Sequence, residues 1–332
     1  MVNQDGVAQG QYLRFTDAYN DSTSGDTIFM YPGQYGSILI EKDLTVIGSG
    51  FHLTNNYTGQ PNLLAETEVN GLSIRDAMDV EIIGLKIGSV GVSSCDKVVV
   101  ESCSIFSGVS IYNCGEVSII KNRIHYPNTT IPWLSSNSNV RAHIVAYANK
   151  YVVIRNNIFD DSGSNILNHT FATPPSGIAY PPNHHEFFLY NTSPTGRPDL
   201  SKATIKGNIF ESAVLSAAHC GVNDITNNIN TLSTVYCEGT TNMYVLPSNI
   251  FIDYDAIAMQ NINAPDSAFL LAPTSPAIGA GPNGTDCGAF GGDDPYVLSG
   301  TPGGPFIHHF DVTNSTAPNT GVNVMTKVKA ID

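Results

Sequence analysis

Charged residues are scarce in this chain, and cations are the scarcest of them. Only 13% of its 332 residues are Asp, Glu, Lys or Arg, and 15 Lys and Arg stand against 29 Asp and Glu, for a formal net charge of −14. A surface this acidic repels nucleic acids and anionic lipids unless a local basic patch outweighs the net charge. The composition therefore predicts that nucleic acid is not a partner.

Long hydrophobic runs and metal-site motifs are also missing. No run of about eighteen apolar residues occurs, so we expect no membrane insertion. The six Cys form neither C-x-x-C nor C-x-x-x-H, which predicts no metal site and no defined disulfide framework. No cofactor is predicted, and Ca²⁺ has no supporting motif. The start "MVNQDGVAQGQ" lacks a signal-peptide pattern, so either a leader has been removed or export proceeds without one.

Turn-forming residues, in contrast, are abundant. The chain has 30 Gly and 19 Pro, with many Asn, Ser and Thr, and 42% of its residues are hydrophobic. Gly, Pro, Asn and Ser favour tight turns, so this composition indicates a β-rich chain with many bends rather than a helical bundle or a disordered tail. The length is sufficient to bury a large core, in one long domain or two ordinary ones.

An internal repeat organises the middle of the sequence. Segments of eight residues that end in Ile after a polar bend recur, with steps between the closing Ile residues of 18, 19, 34, 51 and 20. A basic step of 18–20 residues with larger jumps is typical of one structural unit per turn with inserted loops. The copies are "VEIIGLKI" ending at Ile87, "VVVESCSI" at Ile105, "VSIIKNRI" at Ile124, "YVVIRNNI" at Ile158, "KATIKGNI" at Ile209 and "VNDITNNI" at Ile229.

Each copy alternates as a strand does and then bends. Val152, Ile154 and Ile158 are expected to share one side, while Val153 and Arg155 take the other. Asn156 and Asn157 suit a tight bend because Asn tolerates a left-handed backbone. These features predict an all-β fold, a right-handed single-stranded parallel β-helix (solenoid), with an N-terminal cap and a short C-terminal β appendage. A β-sandwich is disfavoured because tight hairpin signals are few, and a leucine-rich solenoid because its signature is absent.

The domain boundaries follow from the same pattern. We predict an N-terminal cap over 1–25, a parallel β-helix over 26–292 with insertions near 126–141 and 161–199, and a C-terminal tail over 293–332 whose strands pack on the helix. A solenoid needs caps because its end coils otherwise expose a core and a sheet edge.

Two terminal motifs carry a family resemblance. "GDTIFMYPGQYGSILIEKDLTVIGSG" (25–50) resembles the opening of many secreted right-handed parallel β-helix proteins of the pectate-lyase-like superfamily, and "SPAIGAGPNGTDCGAFGG" (275–292) resembles their closing segment. The chain is also similar to uncharacterised extracellular β-helix proteins of Bacteroidetes-type bacteria. The resemblance implies the fold and an extracellular or cell-surface location. It implies no single function, because this superfamily includes lyases, polygalacturonases, phage tailspikes and adhesins. "NGLSIRDA" (70–77) lacks the acidic ligands of the metal-dependent lyases of this fold.

Cations recur near the bends of the predicted coils. Lys121, Arg155 and Lys206 each lie three positions before a closing Ile, and Arg123 lies at the bend beside Lys121. An outward column of this kind is suited to binding a linear polyanion such as a uronate polysaccharide, and two of its members could serve a lyase as carboxylate partner and base. The alternative is that these side chains only keep an exposed strand soluble.

The two predicted insertions hold the remaining candidates for substrate binding. Trp133, the only Trp, lies in the first, and Tyr180, His184 and Glu186 lie in the second. Aromatic faces beside polar groups are typical of sugar-binding grooves. His184, His185 and Glu186 do not form a metal-ligand set, because neighbouring residues of an extended chain point in opposite directions.

Cys95 and Cys114 occupy the same place in successive coils, ten residues before a closing Ile. Recurrence of small residues in one column predicts an internal stack. Buried free thiols are the first interpretation of the pair, and a catalytic or redox role is the alternative.

Together these observations predict an extracellular, carbohydrate-associated protein that engages an acidic polysaccharide. The alternatives are a structural component, either a phage tail or capsid-surface protein or a cell-surface adhesin, and a polysaccharide lyase. A secreted protein of this kind is expected to be a monomer and a tailspike-like protein a trimer, with the virion as the alternative location.

Overall fold

The computed structural model describes residues 10–51, 66–125, 144–147, 149, 151–159, 185–189, 192–193, 203–210, 224–230, 241–254, 265–300, 304–312 and 324–331. Strands dominate these residues, and most of the strands lie in parallel sheets. The prediction of a β-rich chain built from parallel strands is therefore confirmed.

The described residues form one α-helix and twenty-four strands. Helix α1 covers Phe15–Asp21, and short 3₁₀ turns cover Pro247–Asn249, Asp266–Phe269, Pro282–Gly284 and Leu298–Gly300. The strands are β1 Asp26–Phe29, β2 Gly33–Ile40, β3 Leu44–Ile47, β4 Thr67–Arg75, β5 Asp79–Ile83, β6 Lys86–Ile87, β7 Val90–Ser93, β8 Lys97–Glu101, β9 Ser104–Ile105, β10 Val109–Tyr112, β11 Glu116–Ile120, β12 Arg123–Ile124, β13 Ile144–Tyr147, β14 Tyr151–Arg155, β15 Ile158–Phe159, β16 His185–Leu189, β17 Thr192–Ser193, β18 Ala203–Lys206, β19 Ile209–Phe210, β20 Asp224–Thr226, β21 Ile229–Asn230, β22 Met243–Tyr244, β23 Gly304–Val312 and β24 Val324–Ile331.

Two parallel sheets contain all but the last two strands. Sheet I has the order β1-β3-β5-β8-β11-β14-β16-β18-β20. Sheet II has two strand series, β13-β10-β7-β4 and β6-β9-β12-β15-β17-β19-β21-β22, joined where β4 pairs with β6, and β2 also pairs with β4. From β5 to β12 the chain visits sheet I once and sheet II twice in each repeat, so equivalent strands pair one repeat apart.

Alternating burial explains why these segments are strands. In β5, β8 and β11 the second and fourth residues are buried and the others are half-buried or exposed. Val80, Val98 and Val117 stack in register, because β8 pairs with both neighbouring strands without a shift. Their aliphatic side chains join those of sheet II in one continuous core, as the period of two in the sequence predicts.

The register corrects the frame of the repeats from the fourth copy on. Ile87, Ile105 and Ile124 stack in one column, but the residue that continues this column is Phe159, because Ile124 pairs with Phe159 and Arg123 pairs with Ile158. Counting from Ile to Ile therefore shifts the fourth, fifth and sixth copies by one position, because Ile158, Ile209 and Ile229 share one column. A shift of one residue in a strand moves each side chain to the opposite face of the sheet.

The polar bend has two distinct positions. The first has a left-handed backbone, with φ of 54° at Lys121, 55° at Asn156 and 56° at Asn227. The second is buried, and its Asn side chains bond from one repeat to the next: Asn157 Oδ1 accepts the backbone N–H of Asn122 at 2.9 Å, and Asn228 Oδ1 accepts that of Asn208 at 2.9 Å. The predicted role of Asn in tolerating a left-handed bend thus holds for the first position, and the second is an internal hydrogen-bond ladder.

A second core lies on the opposite face of the short strands of sheet II. Ile158, Ile209 and Ile229 pack there with a cluster of apolar residues that follow the last parallel strand, including Phe251, Ala268, Phe269, Ala277, Cys287, Ala289 and Tyr296. We call residues 265–300 the covering segment. Its backbone contacts the bends directly, since Gly288 N–H donates to Gly207 O at 2.7 Å.

The ends of the chain are described in part. Helix α1 lies within the predicted cap, where Phe15 and Tyr19 pack against the first core and Lys42 Nζ donates to Tyr19 O at 2.7 Å. Strands β23 and β24 pair antiparallel with each other, with a register shift between Ile307 and His309. The packing of this tail on the parallel sheets stays a prediction.

The two predicted insertions differ in how far they are described. Residues 126–141 lie outside the described residues. Within 161–199, strands β16 and β17 extend sheets I and II, with Val153 opposite Phe187 and Ile158 opposite Thr192. This stretch therefore contains a further strand pair of the repeat.

Candidate functional site

The four predicted cations do not share one column. Arg155 pairs with Ile120, which puts Lys121 one position further along, beside Asn156. Arg155 and Lys206 do share a column, with Leu189 between them. The single column expected from the spacing is therefore incorrect, because the shifted frame of the fourth repeat had aligned Lys121 with Arg155.

The covering segment supplies a carboxylate to two of these cations. Lys121 Nζ pairs with Glu101 Oε1 at 3.1 Å and with Asp294 Oδ1, and Arg155 Nη2 pairs with Asp294 Oδ2 at 2.8 Å. Only 11% of the Lys121 side chain is exposed. Burial alone would lower the pKa of Lys121, but the pairs with Asp294 and Glu101 outweigh it and the pKa is raised. Lys121 is therefore a cation that is paired with carboxylates of its own chain.

Arg123 is completely buried beneath the same segment. Its Nη1 donates to Asp266 Oδ1 at 2.8 Å, and its guanidinium lies 5.7 Å from the centre of the Phe269 ring. The other Asp266 oxygen accepts from Tyr296 Oη at 2.7 Å and from the Ser299 N–H at 3.0 Å. Each formal charge is thus compensated inside the second core, as buried ions require.

These contacts correct the expectation of an outward basic face. Lys121 and Arg123 are buried, Arg155 is half-buried and ion-paired, and Lys206 is half-buried in β18. A polyanion that approached Lys121, Arg123 or Arg155 would have to displace Asp294 or Asp266. In the part of the chain that the structure describes, the place where a polyanion was expected to bind is thus occupied by the protein's own Asp side chains.

The candidates in the predicted insertions are described only in part. Trp133, Tyr180 and His184 lie outside the described residues. Glu186 lies in β16, where it pairs with Val152 on one side and Ala203 on the other.

A cavity of about 480 Å³ lies at the N-terminal end of the sheets. Its walls come from the segment before α1, from α1, and from β1, β2 and β3 with the turns that follow β1 and β3. Phe29 is 53% exposed and Tyr31 is 69% exposed, whereas the alternating residues Ile28 and Met30 are buried. The aromatic residues that line the cavity are Tyr12, Phe15, Phe29, Tyr31 and Tyr35.

The local structure around the cavity explains its shape. Alternation along "TIFMY" (27–31) turns Ile28 and Met30 towards the core and leaves Phe29 and Tyr31 outside, which is the signal in the sequence that could have identified this site. Tyr35 Oη donates to Tyr31 O at 3.0 Å, which fixes one wall.

The electrostatics of the cavity favour an uncharged ligand. Burial raises the pKa of Tyr35, and loss of hydration followed by the hydrogen bond with Asp21 raises the pKa of Tyr12, so both phenols are neutral at physiological pH. The Arg14 guanidinium is engaged by Asp17 through two hydrogen bonds of 3.0 and 3.2 Å. The cavity therefore offers aromatic faces and phenol hydroxyls, which suit the apolar faces and hydroxyls of a sugar ring.

An acidic depression of about 230 Å³ lies on the outer face of sheet I. Glu81 lines it with Asp43, Asp79 and Lys97, and Lys97 Nζ pairs with Asp79 at 3.2 Å. Burial, together with Glu101 and Asp79, raises the pKa of Glu81 against the opposing effects of Lys97 and Thr45. A negative patch of this kind repels anionic ligands.

Comparisons with known proteins do not assign the chain to a family. No protein-family model matches it, and no curated protein is significantly similar to it. Among the described helices none is both long and apolar enough to cross a membrane. The described His, Cys, Asp and Glu residues include no group of three or more that could hold a metal ion. The geometry of the aromatic cavity is therefore the main guide to function.

Proposed function

We propose that this chain is a right-handed single-stranded parallel β-helix that binds a polysaccharide outside the cell, through the aromatic cavity at its N-terminal end. The fold is supported by the in-register stacking of β5, β8 and β11 in sheet I and of β6, β9 and β12 in sheet II. Handedness follows from the strong preference of parallel crossover connections for the right hand. An experimental structure that resolves the path between the sheets would test it.

The observation that carries the function is the exposed aromatic pair Phe29 and Tyr31 at the wall of the 480 Å³ cavity. Large aromatic side chains usually bury their faces, and two in one cavity indicate a ligand with an apolar face. Pyranose rings have such a face, framed by hydroxyls that phenols such as Tyr12 and Tyr35 can bond.

The polysaccharide is proposed to be neutral rather than acidic. Lys121, Arg123 and Arg155 are paired with Asp294 and Asp266, and Arg14 at the cavity is paired with Asp17. The net charge of −14 adds a general repulsion of polyanions. An acidic polysaccharide, expected from the spacing of the cations, would find no open basic column among these residues.

Binding can be tested by calorimetric titration with soluble neutral polysaccharides and, in parallel, with polyuronates. We expect a neutral polysaccharide to bind, and Phe29→Ala and Tyr31→Ala each to weaken binding about tenfold, since an aromatic contact of this kind contributes about 1 to 1.5 kcal/mol. Tyr244→Ala is the matched control, because Tyr244 is 45% exposed and lies in the last strand of sheet II.

Two results would contradict this function. One is the absence of binding to any neutral polysaccharide of the panel. The other is an equal loss of binding in Tyr244→Ala, which would show a nonspecific aromatic contribution. Tyr31→Phe should keep most of the affinity, because the ring face remains.

A structural role is the second candidate, and exposed apolar residues around β22 favour it. Met243, Tyr244 and Leu246 are 37%, 45% and 53% exposed, and β22 ends the strand order of sheet II. Apolar residues at a terminal strand promote association between chains. Light scattering distinguishes the two: a trimer would favour a virion fibre or adhesin, and a monomer would favour a secreted binding protein.

Polysaccharide cleavage by a lyase reaction is a third candidate, and an absorbance assay tests it. A lyase leaves an unsaturated sugar end, which absorbs in the ultraviolet. Because the described basic candidates are paired with acids, we expect no rise in absorbance when the protein is incubated with polyuronates, with or without Ca²⁺.

A further inference from the structure

Two thiols are stacked in adjacent repeats at the turn that joins sheet II to sheet I. Strands β7 and β10 pair with Ser93 opposite Tyr112, so Cys95 and Cys114 occupy equivalent positions two residues later. The backbone confirms that the stacking continues to these residues, because the Gly115 N–H donates to Cys95 O at 2.9 Å. The column continues with Ala77 before the pair and Asn149 after it, since Arg75 lies opposite Ser93 and Tyr112 opposite Tyr147.

The two side chains have the same orientation. Cys95 Sγ donates to Ser93 O at 3.2 Å, and Cys114 Sγ donates to Tyr112 O at 3.2 Å. Equivalent residues of neighbouring parallel strands are about 4.8 Å apart, which lies within the range of Cα separations that a disulfide spans.

The electrostatics of the pair divide the roles of the two sulfurs. The neighbouring Cys114 thiol lowers the pKa of Cys95, and Cys95, together with burial, raises the pKa of Cys114. Of the two thiols, Cys95 therefore loses its proton more readily, and the thiolate is the form that attacks an oxidant. Burial raises the pKa of Cys103 and of Cys287 to about 12 in each case, so these two thiols stay protonated.

The pair lies just beneath the surface. Cys95 and Cys114 are each 4% exposed, and exposed residues flank them on the turn: Ser94 and Asp96 around the first, Asn113 and Glu116 around the second. Cys103 and Cys287, in contrast, are 0% exposed. Among the four described free cysteines, the stacked pair is therefore the one with some exposed surface.

We propose that Cys95 and Cys114 form a dithiol site that a small disulfide oxidant converts into an intrachain disulfide between adjacent repeats. The Cys95 thiolate attacks one sulfur of the oxidant, whose S–S bond breaks and whose other half leaves as a thiolate that takes up a proton. Cys114 then loses its proton and attacks the Cys95 sulfur of the mixed disulfide, which releases the second half as a thiol. In sum, the two cysteines lose two electrons and two protons, and the oxidant becomes two thiols.

This site is independent of polysaccharide binding, because the thiols lie on a side turn and not among the residues that line the aromatic cavity. It predicts that the cross-link stabilises the stack in oxidising surroundings, where disulfides persist.

The test uses the full-length protein and oxidised glutathione as the probe, at about pH 8. After oxidation, free thiols are blocked, the protein is digested without reduction, and the peptides are identified by mass. We expect a linked peptide pair that contains Cys95 and Cys114, lighter by two hydrogens than the separate peptides, and a loss of both thiols from the blocked fraction. Reduction should restore both.

Variants separate this site from general thiol chemistry. Cys95→Ala and Cys114→Ala should each abolish the linked pair, whereas Cys103→Ala and Cys287→Ala should leave it intact. The proposal is overturned if both thiols of the unmodified protein remain blockable after oxidation, if a stable mixed disulfide with glutathione is the end product, or if either thiol is found linked to another cysteine. Because the unmodified protein decides the question, a variant that fails to fold does not affect the outcome.

Discussion

The guanidinium of Arg123 donates a 2.8 Å hydrogen bond to Oδ1 of Asp266, 143 positions later in the chain, and neither side chain is exposed. This ion pair joins the short strand β12 of sheet II to the covering segment. Its position explains how a residue expected on an outward basic face lies in a core. The sheet face that carries Arg123 is the face that residues 265–300 cover.

Removal of one partner of this pair should strongly destabilise the protein. We expect Asp266→Asn to lower the free energy of unfolding by about 3 to 5 kcal/mol, because it removes the Asp266 charge that pairs with the buried Arg123 cation. The double variant Arg123→Met with Asp266→Asn should recover most of this loss, since an amide oxygen can still accept from Tyr296 and Ser299. Urea unfolding checks both, and equal stability of the single and double variants would contradict a charge-based role.

Lys121 should contribute to stability and not to polyanion binding. Lys121→Gln removes its pairs with Glu101 and Asp294, and we expect a loss of about 1 to 3 kcal/mol at neutral pH. Because the folded-state pKa of Lys121 is raised, this contribution is fully present below the unfolded-state pKa and is lost as the pH rises through the folded-state value. The difference from the parent protein should therefore shrink only in strongly alkaline solution.

The matched control for Lys121 is Lys97→Gln. Lys97 also pairs with a carboxylate, Asp79, but the two side chains are 50% and 61% exposed. Solvent screens such a pair, so we expect a loss below about 1 kcal/mol. Thermal unfolding of the two variants, measured side by side, checks this. A loss of stability in Lys97→Gln as large as that in Lys121→Gln would contradict the role of burial.

The Asn ladder should be sensitive to loss of a single amide. Asn157 Oδ1 accepts the Asn122 N–H at 2.9 Å and Asn157 Nδ2 donates to Ile119 O at 2.7 Å, all in a buried setting. Asn157→Ala leaves both backbone groups without this partner, and we expect a loss of about 2 to 4 kcal/mol. Hydrogen exchange should show faster exchange of the Asn122 amide, whereas Asn70→Ala, at an exposed position of β4, should change neither quantity appreciably.

Glu81→Gln should stabilise the protein at neutral pH and have little effect in acid. The pKa of Glu81 is raised in the folded state, mainly by burial and by Glu101, so ionised Glu81 opposes folding above its unfolded-state pKa. Below that value Glu81 is protonated in both states and the penalty disappears. Urea midpoints of the variant and the parent protein should therefore differ at pH 7 and converge below about pH 4; a constant difference across this range would contradict the assignment.

Much of the fold could be predicted from local patterns. The alternation in "VEIIGLKI", "VVVESCSI" and "VSIIKNRI" determines β5, β8 and β11, because a strand with one buried face must place an apolar residue at every second position. The Asn and Gly residues at the bends were also visible, since few other residues tolerate a left-handed backbone. What the spacing of Ile residues did not reveal was the change of frame that begins at the fourth copy, where Phe159 and not Ile158 continues the column.

The candidate site was less accessible from the sequence. Spacing suggested a basic column, but whether a cation is open or paired depends on contacts with residues far along the chain, such as that of Arg155 with Asp294, 139 positions away. The aromatic cavity depends in the same way on how the segment before α1 meets β1 and β3. Only the exposure of Phe29 and Tyr31 could be predicted from the local alternation of apolar residues.

The sequence by itself thus determined the strands, the bends and which apolar residues point inwards. These features depend on neighbours within a few positions and on the two-residue alternation of a strand. The tertiary structure decided which outer face becomes a second core, which acids neutralise Lys121, Arg123 and Arg155, and where aromatic side chains remain exposed. Burial and charge pairing depend on the environment that distant segments create. The type of a residue does not determine that environment, so it could not be predicted from local sequence.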